Sequence, residues 1–202
     1  MPTPDRTSLA EIVDAGRALL ETTGLDGLTM QAVADRVGVR APSLYKRVRN
    51  RTELIGRIAE ATTHELGGRL EAAVTAEPGA ERALVALART VRAFAHERPV
   101  AFGLVFAPGG GTSVDPDSLR RASAPVLRVA AELVGDDDAL DAARTVTAWA
   151  NGFVSMELSG AFRLGGDVDR AFEFGIATVA SGLARRGRGA PGEALAISVG
   201  GN

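Results

Sequence analysis

The sequence predicts an all-α protein of about nine helices, and three observations carry that prediction. Apolar residues recur at steps of three and four along most of the chain, the spacing of one helix face. No alternating apolar and polar run is long enough to argue for a sheet, and no internal repeat is visible. Helix-opening and helix-closing residues stand at the ends of the apolar stripes, where orphan amides and carbonyls need partners.

Leu9, Ile12, Val13, Gly16, Leu19 and Leu20 form the first stripe. Ser8 and Glu11 open it as a capping box, each side chain satisfying the other's amide. Gly24 supplies a stop. Thr29 is placed to cap a short second helix, MQAVADRV, with Ala32, Val33 and Val37 inward, and Gly38 ends it in a tight turn. Pro42 sits where a third helix begins, a place that tolerates its missing N–H. Asn50 and Glu53 make a second box-like cap at the start of a long helix over residues 51–76. The segment 76–82, AEPGAER, reads as a boundary, and further stripes follow near 80–96, 98–107, 118–134, 138–163 and 167–186. The Gly- and Pro-rich loop 107–118 is expected to be mobile, and the tail after Arg186 to be disordered. The expected organisation is a head over 1–50, a connecting helix over 51–76, a body over 77–186 and a tail over 187–202.

A composition of 46% hydrophobic and 24% charged residues is that of a soluble globular protein. With no cysteine, disulfide frameworks and thiolate zinc sites are excluded, and a reducing cytoplasm is the expected location. The N-terminus lacks the basic start and apolar run of a signal peptide, and no stretch approaches a membrane span. The net charge of −2 is unevenly placed. From Arg36 to Arg57 seven basic residues face Glu53 alone, a net +6, which leaves −8 for the rest. A basic island in an acidic body suits a protein that meets phosphates on one face, although a solvated helix face would carry the same charges.

Residues 29–47 hold the strongest functional pattern. Two short helices separated by a glycine-containing turn form a helix-turn-helix, whose second helix enters the major groove. Small apolar residues are required where the helices cross, and Ala32, Val37 and Val39 stand there with Leu44 as anchor. Polar or basic side chains are required on the other face, which offers Gln31, Arg40, Ser43, Lys46 and Arg47.

The run LTMQAVADRVGVRAPSLYKRVRNRTELI resembles the DNA-binding head of the TetR family, through Thr29, Val33, Ala34, Gly38, Val39, Leu44, Tyr45 and a basic Arg51. Val48 departs from the family's usual aromatic residue, a change expected to alter packing only. Arg40 replaces the usual Ser or Thr, so a helix cap is lost and an arginine gained. The resemblance implies double-stranded DNA with a roughly palindromic operator as partner, and Tyr45 and Lys46 as phosphate contacts. Thr29, Gln31 and Arg51, at helix N-termini, are expected to add contacts there. Arg40, Pro42 and Ser43 open the recognition helix, where base edges are read.

Behind the head, VRAFAHERPVAFGLVFAPG and TAWANGFVSMELSG resemble one TetR C-terminal subclass with a Trp-x-His-Gly-like signature, here Trp149-Ala150-Asn151-Gly152. An asparagine in the histidine's place still donates and accepts hydrogen bonds. The resemblance implies a small-molecule effector and a homodimer built on the last two helices. Phe102, Phe106, Trp149, Phe153 and Met156 are the expected pocket lining, and the absence of clustered charge among them points to an apolar or weakly polar effector. Ser155, Ser159, Phe172, Ile176, Val179 and Leu183 are the expected dimer face, with Gly152, Gly160, Gly175, Ala180 and Gly182 allowing close approach; an antiparallel pair inside one protomer would look the same.

An enzyme finds little support. His64 and His96 are the only histidines and show no metal-ligand spacing, and Gly109-Gly110-Gly111 lacks the Lys-Ser/Thr of a phosphate loop. No cofactor is expected. A relative acting as a co-regulator without binding DNA is the alternative that the basic face argues against.

Overall fold

The computed structural model describes residues 7–106 and 114–189, and among these every regular element is a helix. In chain order they are α1 (Leu9–Gly27), α2 (Met30–Arg36), α3 (Ala41–Leu44), α4 (Arg51–Ala76) and α5 (Ala80–Glu97). They continue as α6 (Pro99–Phe106), α7 (Pro116–Val134), α8 (Asp136–Leu158) and α9 (Val168–Gly189). Of the mobile loop expected over 107–118, residues 107–113 lie outside the described residues. The last three residues, Pro116 to Ser118, already belong to α7.

The caps form largely as the sequence predicts. Ser8 and Glu11 make the full reciprocal box at the start of α1. At α4 only half of the box forms: Asn50 accepts from the Glu53 amide at 2.8 Å, but the Glu53 carboxylate accepts from the amide and side chain of Arg49 instead. Gly24, at φ 69°, breaks α1, and one further turn follows before Leu28. Gly160, at φ 66°, stops the eighth helix at Leu158, five residues short of the expected end at 163. The ninth helix instead runs on to Gly189, so the expected tail begins later; residues 190–202 lie outside the described residues.

Two cores organise the chain. Ile12, Leu20, Leu28, Val33, Leu44, Val48, Leu54 and Ile58 are fully buried where α1 to α4 converge. Val48 thus fills the head's core in place of a larger aromatic residue. Phe94, Val129, Val154, Phe172 and Ile176 centre the second core, among α5, α7, α8 and α9. The sequence PVAFGLVF makes α6 apolar on every side, and it packs into both: Ala101 and Leu104 into the head core, Phe102 and Phe106 into the body core.

Ion pairs brace the helices of the body. Arg92 of α5 holds Glu157 of α8 through two hydrogen bonds, at 2.9 and 2.5 Å, reaches Asp169 of α9, and lies 4.8 Å over the Phe172 ring. That guanidinium, with His96 at 3.2 Å, keeps the Glu157 carboxyl below its ordinary range.

Close approach between helices depends on missing side chains at particular places. A Cβ on Gly175 of α9 would run into the Trp149 indole of α8, whereas one on Gly68 of α4 would meet open space. Gly175→Ala is therefore expected to destabilise the fold by about 1–3 kcal/mol through overpacking. Gly68→Ala is expected to stabilise it by about 0.5–1 kcal/mol through helix propensity. Urea unfolding of the two variants checks the opposite signs.

Candidate nucleic-acid interface and ligand cavity

The head presents one polar face built by α2, the turn and α3. Thr29 caps α2, its hydroxyl accepting from the Ala32 amide at 3.1 Å, and stays exposed. Gln31 is exposed on the first turn of α2 and donates to Asp35 at 2.7 Å. Gly38, at φ 71°, turns the chain so that the Val39 amide reaches the Ala34 carbonyl at 3.0 Å. Arg40 then stands at the N-cap of α3 with no side-chain cap, as its replacement of Ser or Thr implies, and Pro42 sits in the first turn.

Leu44 anchors α3 in the core while Pro42, Ser43, Tyr45 and Lys46 face outward, with Tyr45 at 51% exposure. That exposure separates Tyr45 from a core aromatic: the ring is offered to solvent, beside a lysine. Among the described residues Arg36, Arg40 and Lys46 make no ion pair, so their charge is undiminished. Arg49 is paired with Glu53 at 3.1 Å.

Arg51 has a structural task that the sequence does not announce. Its Nε donates to the Leu28 carbonyl at 2.7 Å and its Nη2 to the Leu25 carbonyl. The side chain thereby ties the end of α1 to the start of α4, a positioning task inside the head.

A cavity of about 130 Å³ opens in the body between five helices. Leu66 and Leu70 of α4, Leu87 and Val91 of α5, Phe102 and Phe106 of α6, Val126 of α7 and Val146 of α8 give it an apolar wall. The two phenyl rings of α6 are the expected lining residues that the structure brings there, their centroids 4.7 Å apart. Asn151 lines the same cavity, and its Oδ1 is buried without a hydrogen-bond partner.

Trp149, Phe153 and Met156 do not line it. On a helix turning about 100° per residue, Trp149 and Asn151 point to nearly opposite sides, whereas Trp149 and Phe153 share one. With Asn151 facing the cavity, both rings pack against Phe172 of α9, Trp149 tilted and Phe153 edge-on, at 5.3 Å between centroids in each pair. Met156, at 48% exposure, lies at the surface.

The expected dimer face divides in the same way. Phe172 and Ile176 are fully buried inside the protomer and are unavailable to a partner, and Gly175 serves the Trp149 contact. Val179 and Leu183 pack partly against the body core. Ser155 and Ser159 remain outward. Among the described residues of α9, Phe174 is the large apolar side chain left exposed, at 75%, and only the helix's orientation distinguishes it from the buried Phe172.

Two carboxylates that sequence reasoning missed join the head to the body. Glu21 of α1 accepts from the amides of Val100 and Ala101 at 3.1 and 2.9 Å, capping the N-terminus of α6. Glu65 of α4 pairs with Arg17 of α1, with Arg69 at 2.7 Å and with Arg98, next to α6, at 3.3 Å. Partial burial raises the Glu65 carboxyl, but the surrounding guanidiniums outweigh it and hold it below its ordinary range. Glu65 and Arg69 are an i,i+4 pair within α4, but no local sequence signal announces the contacts of Glu21 with α6 or of Glu65 with Arg17 and Arg98, which are far apart in the chain.

Among the described residues no helix is long and apolar enough to cross a membrane, and no cluster of His, Asp or Glu has the makings of a metal site. The family model for bacterial regulatory proteins of the tetR family matches residues 12–58, and that for the tetracyclin repressor-like C-terminal domain matches residues 84–179. An uncharacterised helix-turn-helix-type transcriptional regulator of Mycobacterium tuberculosis is 29% identical over 188 residues, covering 91% of this chain and 84% of its own. The class A tetracycline repressor from transposon 1721 of Escherichia coli is 27% identical over 199 residues, covering 87% and 89%. A solved structure of a protein of unknown function from Rhodococcus sp. RHA1 superposes with a TM-score of 0.75 at 26% identity, covering 90% of this chain and 96% of that one. Together with the helix-turn-helix geometry, these likenesses make the chain a member of the TetR family, a DNA-binding transcriptional regulator and not an enzyme.

Proposed function

We propose that this regulator is a cytoplasmic repressor, acting as a homodimer on a roughly palindromic operator and released when a small apolar or weakly polar molecule occupies the body cavity. The observation that carries this reading is the double allegiance of α6. Phe102 and Phe106 wall the cavity, Ala101 and Leu104 pack in the head's core, and Glu21 of the head caps the helix. A molecule that changes how α6 sits acts on both cores together, and α4, which lines the cavity and packs under the head, shares the displacement. Such a molecule shifts the equilibrium only by its difference in affinity for the two arrangements.

On this reading Tyr45 and Lys46 hold phosphates, Thr29 and Gln31 support the contact from α2, and Arg40, Pro42 and Ser43 approach base edges. Two heads must reach half-sites about 34–36 Å apart, or a multiple, and a dimer sets that separation. The outward faces of α8 and α9, with Ser155, Ser159 and Phe174, are the surfaces proposed to meet.

Operator binding tests each part. Tyr45→Ala and Lys46→Ala are expected to weaken binding to all sequences, and Lys46→Ala to reduce the salt slope by about one. Arg40→Ala is expected to change sequence preference, with about 1–3 kcal/mol of discrimination lost at one base pair. A gel-shift screen against a panel of uncharged apolar compounds is expected to find one that lowers operator affinity about 5- to 150-fold. Unchanged affinity across a broad panel, with DNA binding intact, overturns the ligand-responsive reading. Sedimentation is expected to show a dimer for the natural chain and a monomer for Phe174→Glu; an unaltered dimer rejects the proposed face.

A further inference from the structure

We infer that Asn151 is the recognition group of the body cavity, and that the cavity takes an uncharged, ring-sized apolar molecule bearing a hydroxyl or amide N–H. The inference rests on the cavity being the effector site proposed above and adds the ligand's chemical class and its anchor.

The argument begins with what the wall lacks. Among the described residues no ionisable side chain lines the cavity. A charged ligand would therefore lose its hydration without gaining a counter-charge, a large penalty in apolar surroundings. Of the polar side chains in the wall, Thr63 donates its hydroxyl proton to the Ala59 carbonyl at 2.9 Å, and Ser123 donates to the Leu119 carbonyl at 2.7 Å. Thr147 is exposed at the rim. Asn151 alone keeps a buried oxygen, Oδ1, with no partner.

A buried polar atom left unsatisfied in a native fold calls for an explanation, since its desolvation is uncompensated. Asn151 belongs to the wall of a mostly apolar cavity, so a donor on an occupant that reaches this oxygen supplies the missing hydrogen bond. The size follows from the volume: about 130 Å³ is close to that of engineered apolar cavities, about 150 Å³, that bind benzene.

Phenol and toluene, which differ by a hydroxyl in place of a methyl group, test the inference, with benzoate as the charged probe. Calorimetric titration of the full chain is expected to show phenol binding about tenfold more tightly than toluene, and benzoate not binding. Asn151→Leu and Asn151→Ala, each checked for an intact fold by its thermal transition, are expected to lose the preference for phenol, with toluene the tighter ligand because the phenol hydroxyl is then buried unmatched. An equal affinity for both in the natural chain overturns the inference. So does a hydroxyl preference that survives in a folded Asn151 variant, or a failure of both neutral probes to bind. Operator affinity is read separately. A hydroxyl preference that depends on Asn151 without any loss of operator binding supports the anchor and defeats the effector reading, so the two are distinguished.

Discussion

The packing of α6 is the constraint on which the rest of the structure depends. Eight residues, apolar on every side, favour burial on more than one face, and Ala101, Phe102 and Leu104 are buried. The chain encloses it between two cores, with Ala101 and Leu104 in one and Phe102 and Phe106 in the other. The head is consequently completed by residues more than forty positions beyond its last sequence motif. Interiors packed at crystal-like density transmit displacement, so neither core rearranges around α6 without the other responding.

Polar groups fix where that shared helix sits. The first amides of a helix lack intrahelical partners, and the Glu21 carboxylate supplies two of them while meeting the positive end of the helix dipole. Glu65 completes the joint from α4 by drawing together Arg17, Arg69 and Arg98. Removing one partner of such a cluster leaves the other charges half-buried and uncompensated, so the joint resists gradual loosening. Arg51 repeats the principle within the head, anchoring the end of α1 to α4 through backbone carbonyls. Among the described residues the outer charges, Arg36, Arg40 and Lys46, make no ion pair, and the head's basic potential is left available to a polyanion.

Much of the head was legible in the sequence because its signals are local. Ser8 with Glu11, Thr29, Gly38 and Pro42 each act within a turn or two, and spacing along the chain reports such contacts directly. The body was legible as helices but not as surfaces. Every candidate aromatic in it is apolar, and only the rotation of each helix decides whether a ring meets a cavity, a core or solvent. Phe172 and Phe174 show the difficulty: two residues apart on α9, one is fully buried and the other 75% exposed. The structural contacts of Arg51 were hidden for a related reason, since its partners, the carbonyls of Leu25 and Leu28, have no sequence signature at all.

The same rotation gives Asn151 its importance. An amide and an indole two residues apart on one helix are forced to opposite sides, so the packing of Trp149 against Phe172 commits Asn151 to the cavity. Exchanging that asparagine for leucine would remove a desolvated polar atom worth about 1–3 kcal/mol of lost stability, and an apolar wall would then be complete. An apolar wall, however, discriminates weakly among apolar molecules, because a methyl group more or less alters affinity modestly, whereas an unmatched buried polar group alters it strongly. On the proposed reading, the unsatisfied amide gives the cavity a criterion for its occupant that packing alone does not provide. Because Phe102 and Phe106 share that cavity with Asn151, whatever satisfies the amide also presses on the helix that completes the head.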